Sequence, residues 1–188
     1  SPLFASTLSI LMFSQLQSDD GNLNNEQLLE ILAILAERED DRTTQVVFDF
    51  TLLLLDYSYF NAAETVRNLI LKRSSLNWLL LFIDLKIARM TGHPRKVAQL
   101  GQELLIIESV PKELLGILNH YLAEGLREQG DYQKAIFYYK QALELLDREQ
   151  EVFNCLQASA ALGDLEYVAG DLEKARITLN EALELAEN

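Results

Sequence analysis

Apolar residues recur along this chain at intervals of three, four and seven, the spacing that keeps side chains on one face of an α-helix. No stretch alternates apolar and polar residues as a half-buried strand would. Short polar breaks interrupt the pattern at Ser18–Asn22, Glu39–Asp41, Lys72–Ser75 and Thr91–Pro94, each too short for a flexible interdomain linker. Together they predict an all-α chain of ten antiparallel helices near residues 4–18, 24–38, 42–57, 60–73, 75–91, 94–108, 111–129, 132–148, 150–169 and 172–187.

The helices carry a repeat. After Gly130-Asp131-Tyr132 come Ala135, Tyr139 and Ala142, and after Gly170-Asp171-Leu172 come Ala175, Leu179 and Ala182 at the same offsets. Those offsets share one helical face, where an alanine admits a neighbouring helix and the larger residue fills the space beside it. Weaker copies run upstream. Gly92-His93-Pro94 leads to Val97, Gly101 and Leu104, Ser58-Tyr59-Phe60 leads to Ala63, Arg67 and Ile70, and Gly21-Asn22-Leu23 leads to Leu28, Leu32 and Leu35. The turn positions Gly21, Ser58, Gly92, Gly130 and Gly170 are 37, 34, 38 and 40 residues apart, so five helical hairpins fit the chain. Each hairpin is expected to bury its apolar face by stacking on its neighbours.

The run Leu122-Ala123-Glu124-Gly125-Leu126 through Gly130-Asp131-Tyr132, Ala135, Tyr139 and Ala142 resembles a tetratricopeptide repeat, and Leu162-Gly163 through Gly170, Asp171, Ala175 and Ala182 resembles another. The resemblance implies a right-handed α-solenoid of about five antiparallel hairpins. It makes residues 1–188 a single repeat domain, degenerate over 1–110 and clearer over 111–188. Glu26, Glu30 and Arg67 stand where the family prefers packing residues. Spacings of 38 and 40 exceed the usual repeat of about 34 and resemble the longer helices of tetratricopeptide domains in bacterial transcription regulators. The implied function is a non-enzymatic scaffold binding a protein or peptide in a concave groove. The alternative is an effector-sensing, peptide-sensing or oligomerisation module of such a regulator.

Composition narrows the partners. Sixteen Lys and Arg against 29 Asp and Glu give a charge of −13, which disfavours nucleic acid and anionic membrane as main partners. Cys155 is the only cysteine, so no intrachain disulfide forms and a reducing, cytoplasmic location is expected. The apolar runs Leu52–Leu55 and Trp78–Ile83 fall well short of the roughly 20 residues that span a bilayer. Pro2–Phe13 lacks the basic start and cleavage site of a signal peptide and reads as a first core helix. Ser1 is no natural start and the last helical pattern runs on to Asn188, so the chain is expected to be a fragment of a longer protein.

No constellation for catalysis stands out. His93 precedes a proline in a turn, His120 falls on an inner helix, and Cys155 sits among Val152, Phe153 and Leu156 as a core residue would. Glu149 with Glu151, and Glu181 with Glu184, read as solvated faces, while Trp78 and Tyr139 read as core. No phosphate loop, dinucleotide fingerprint or metal-ligand spacing is present, so neither cofactor nor metal is expected. The groove is the remaining candidate. The register of the clear repeats, carried backward, puts Phe82, Lys86, Arg89 and Met90 there, then His120, Glu124 and Arg127, then Gln157, Asp164 and Tyr167. Lys86, Arg89 and Arg127 are expected to hold the carboxylates of an acidic peptide or a chain terminus, with Phe82 and Tyr167 giving apolar contact. The opposing reading has these cations balancing nearby acids such as Glu124 and Glu128. The carboxylate clamp of chaperone-tail binders is not assembled, because the preceding inner helix offers Gln45, Phe48, Leu52 and Leu55. Ile177, Leu179, Leu183 and Leu185 on the last helix suggest a homodimer formed through it.

Overall fold

The computed structural model describes Met12 and residues 26–38, 41–71 and 77–187. Among them are nine α-helices and no strand: α1 (Glu26–Glu37), α2 (Asp41–Asp56), α3 (Phe60–Ile70), α4 (Asn77–Met90), α5 (Pro94–Leu105), α6 (Leu115–Glu128), α7 (Tyr132–Leu145), α8 (Val152–Val168) and α9 (Leu172–Glu187). They answer to the second through tenth expected helices. The first, over 4–18, lies outside the described residues except for Met12, which is helical and buried, and the turn at Gly21 lies outside them too. α7 stops three residues before its expected end because Leu146 is extended. Asp147 then folds a tight turn, its Oδ1 accepting from the backbone N–H groups of Glu149 and Gln150.

The chain divides into two compact units, Pro2–Ile87 and Ala88–Asn188, with the boundary inside α4. In the first unit α1, α2 and α3 pack on one another. Phe48 of α2 sits with its ring centroid 5.4 Å from Trp78 and 5.8 Å from Phe82, both of α4. Val47, Leu54, Ala62, Ala63, Ile70 and Ile83 of the same unit are buried as well. Arg67, which breaks the packing pattern of its repeat, forks onto Asp84 with Nε and Nη2 donating over 2.8 and 2.9 Å. A bidentate ion pair between α3 and α4 therefore stands at the position that Tyr139 and Leu179 hold in the two clear repeats.

In the second unit α5 packs on α6, α6 on α7, α7 on α8 and α8 on α9. Its core runs from Ala98 through Leu122, Ala123 and Leu126 to Ala135 and Tyr139, and on to Ala158, Ala161, Leu162 and Leu165. Burying each large apolar side chain of this kind contributes roughly 1.5–3 kcal/mol. The small residues set how closely the helices approach. A Cβ on Gly125 would stand 2.9 Å from the backbone oxygen of Pro94 and 3.0 Å from the backbone nitrogen of Ala98, so α6 lies directly against the start of α5.

Four hairpins reverse through the same backbone path. The N–H groups of Tyr59, His93, Asp131 and Asp171 donate to the carbonyls five residues back, at Leu54, Ala88, Leu126 and Glu166. The preceding residue in each, Ser58, Gly92, Gly130 or Gly170, donates three residues back and holds φ of +62°, +70°, +81° or +85°. This is the Schellman ending, which closes the last carbonyls of a helix with one residue in the left-handed region. Its recurrence at Ser58 fixes the turn of the second hairpin, where the sequence pattern is faint.

Candidate binding groove

α6 and α8 are the inner helices of the last two hairpins. His120, Glu124 and Arg127 lie at intervals of four and three on one face of α6, and Gln157, Ala160, Ala161 and Asp164 do the same on α8. With Tyr139 of α7 these residues line a concavity of about 250 Å³.

His120 is only 3% exposed, with its ring centroid 5.5 Å from that of Tyr121 and 6.0 Å from that of Tyr139. Its Nδ1 is the one fully buried side-chain polar atom among the described residues with no hydrogen-bond partner. Burial pushes the imidazole down to about 4, helped by the Arg89 and Arg127 charges and opposed by Glu124, so His120 is neutral at pH 7. Burial likewise pushes the Tyr139 phenol up to about 12.

Arg89 and Arg127 differ in what they meet. The Arg89 Cζ lies 4.6 Å from the ring centroid of Tyr121, and its Nε and Nη2 donate to the Glu124 carboxylate. Burial lowers the Arg89 pKa, but the Glu124 hydrogen bond and the neighbouring charges outweigh it and the net shift is upward. Arg127 and Asp164 make no ion pair or hydrogen bond among the described residues.

The groove expected from sequence is therefore only partly assembled. Phe82 is 2% exposed and packs on Phe48, so it presents nothing to a partner. Lys86 is nearly buried, and its Nζ is held by Asp56. The cause is visible in the run Trp78–Ile83, which is apolar on all sides and so leaves α4 no wet face at this level. Arg89 follows the opposing reading, since Glu124 occupies it. His120, Glu124 and Arg127 do come together with Gln157 and Asp164, and Tyr167, 64% exposed, lies one turn beyond Asp164 on α8. Ala160 and Ala161 went unnoticed; aligning α8 with α6 through Gly130 and Gly170 would have found them, opposite His120 and Tyr121.

Other chemistry-bearing residues take structural places. His93 is an exposed turn residue with Nδ1 2.9 Å from Thr91 Oγ1. Cys155 is buried, and burial with the nearby Glu151 raises its thiol pKa. Glu151 is not the solvated carboxylate that its sequence suggests. It is buried before α8, and burial pushes its carboxyl up, whereas Glu149 stays exposed. Among the described residues no group of three or more His, Cys, Asp or Glu is placed to hold a metal, and no helix is long and apolar enough to cross a membrane.

The family model of the tetratricopeptide repeat matches residues 113–188, from the short 3-10 turn before α6 to the end of α9. No curated protein and no solved structure matches the chain. Repeats of this type generally mediate contacts between proteins and belong to non-catalytic scaffolds. The matched stretch holds the pair of hairpins in which Ala135, Tyr139, Ala142, Ala175 and Ala182 are all buried at their repeat positions. Over residues 113–188, the chain is thus similar to the tetratricopeptide repeat family, both in sequence and in which repeat positions are buried.

Proposed function

We propose that the protein is a non-enzymatic interaction module that binds a segment of a partner polypeptide along the face formed by α6 and α8. The observation that carries this reading is the concavity there, with Arg127 and Asp164 both uncommitted on its walls. Arg67, Lys86 and Arg89 are each already neutralised by an internal carboxylate. A carboxylate on the partner suits Arg127 and a donor suits Asp164, so the segment carries mixed polarity rather than a run of acids. The test is calorimetry on the full chain with a partner first captured and identified. Arg127→Glu is expected to weaken binding by about tenfold or more, because it leaves two facing acids, while helicity stays the same. Unchanged affinity would remove the reading.

A second reading rests on α9. Ile177, Leu179 and Leu183 are exposed there, which supports self-association through this helix. Light scattering over a range of concentrations decides it: a species that stays monomeric throughout excludes the dimer. The lengths of α8 and α9, 17 and 16 residues, favour the long-repeat type and with it a sensing role in a transcription regulator. A DNA-binding domain elsewhere in the full-length protein is the observation that tests that role.

A further inference from the structure

Two junctions between inner helices can be compared residue by residue once the hairpins are aligned on Gly92, Gly130 and Gly170. Arg89 then matches Arg127, Glu124 matches Asp164, Tyr121 matches Ala161 and His120 matches Ala160. At the first junction Arg89 lies over the Tyr121 ring and forks onto Glu124, so cation, ring and carboxylate form one closed set. At the second, the cation and the carboxylate are again present as Arg127 and Asp164, but alanines stand where the rings were. Neither charge finds the other, and the vacated space is the concavity of about 250 Å³.

From this comparison we infer that the concavity seats one aromatic side chain of the partner polypeptide, stacked against Arg127 over Ala160 and Ala161; the inference rests on the α6–α8 face being the binding face. A guanidinium is planar and weakly hydrated and stacks on aromatic faces, an interaction that an aliphatic side chain does not offer. A lone carboxylate would satisfy Arg127 but would leave the alanine floor uncovered and would face Asp164 and Glu124. A phenol hydroxyl has the Asp164 carboxylate as an acceptor on the wall, which favours tyrosine over phenylalanine.

The test uses the isotope-labelled full chain and three small probes, the N-acetyl amides of tyrosine, phenylalanine and leucine, in an NMR titration. The tyrosine probe is expected to shift the Ala160 and Ala161 amides and the Arg127 side chain, with phenylalanine weaker and leucine weaker than tyrosine by roughly fivefold or more. Ala161→Tyr, which restores the ring of the first junction, is expected to abolish these shifts. Should that variant not fold, Arg127→Lys keeps the charge without the stacking plane and is expected to weaken the tyrosine probe severalfold. Equal response to leucine, shifts that map elsewhere, or indifference to these substitutions overturns the aromatic seat. A partner that is weakened by Arg127→Glu yet indifferent to Ala161→Tyr overturns the seat and leaves the binding face standing. A partner indifferent to Arg127→Glu removes the binding face itself.

Discussion

Replacing His120 by phenylalanine is expected to remove a large part of the acid sensitivity of the second unit. The imidazole is held near 4 in the folded protein against 6.5 in its ordinary state. Between those values the unfolded chain binds a proton and the folded chain does not. Stability therefore rises with pH through this window and is lost as pH falls from about 6.5 towards about 4. One pKa unit corresponds to about 1.4 kcal/mol, so the whole gap amounts to about 3 kcal/mol, of which about 2 kcal/mol is lost between pH 7.5 and pH 5. The charged and titratable groups around the ring are Glu124 on its own helix, Arg89 of α4, Arg127 of α6, and the phenols of Tyr121 and Tyr139. Arg89, its pKa raised, stays charged and Tyr139, pushed up to about 12, stays neutral throughout this range. Phenylalanine suits the site because Phe82 holds the equivalent position one repeat earlier and is buried there. Urea unfolding followed by circular dichroism at pH 7.5 and pH 5 makes the comparison. The native protein is expected to lose about 2 kcal/mol more than His120→Phe over this interval. Equal losses would show that His120 takes up its proton as readily in the folded chain as in the unfolded one and that the burial argument is wrong.

The left-handed turn positions give a pair of opposite expectations. Ser58→Gly relieves a side chain held at φ +62° and is expected to stabilise by about 0.5–1 kcal/mol, whereas Gly130→Ala, at φ +81° with open space around the new Cβ, costs about 1–2 kcal/mol. At about 2–4 °C per kcal/mol for a chain of this size, thermal melts resolve both, and a shift of the same sign in the two variants refutes the left-handed account. Gly125→Ala would ordinarily gain about 1 kcal/mol of helix propensity, but its Cβ would stand 2.9 Å from Pro94 O and 3.0 Å from Ala98 N, backbone atoms that cannot turn aside, so a net loss of about 1–2 kcal/mol is expected. Gly163→Ala meets only the half-exposed Leu179 side chain, which has room to turn, so it is expected to cost less; the reverse order in urea melts contradicts the packing argument.

Much of the fold was legible because helical periodicity is a local property. The offsets of three, seven and ten from each turn put Ala63, Ile70, Val97, Leu104, Ala135, Tyr139 and Ala142 on faces that are in fact buried. The candidate site was less legible because a groove depends on what stands across from each residue. Periodicity placed Phe82 and Lys86 on the inner face of α4, but Phe48 and Asp56 of α2 decide that neither reaches a partner. The same holds for Glu151, which is buried although it stands among the exposed polar residues Asp147 to Gln150. Of the three cations expected in the groove, Arg127 is the one without an internal carboxylate among the described residues, because its counterpart acid, Asp164, does not pair with it. The alanines at 160 and 161 carry no chemistry of their own, and their importance emerges only by comparison with the rings at 120 and 121.

The shared reversal at Ser58, Gly92, Gly130 and Gly170 separates two tasks that most folds leave entangled. The path of the chain at each corner is set by backbone hydrogen bonds and by one residue in the left-handed region, and it makes no demand on the helix faces beyond it. Mutation is therefore free to rewrite a face, exchanging a bulky side chain for Arg67 or a tyrosine for Ala161, without solving the corner again. For engineering, segments cut from one corner to the next are the natural units of exchange, and the new faces they bring leave the corners intact.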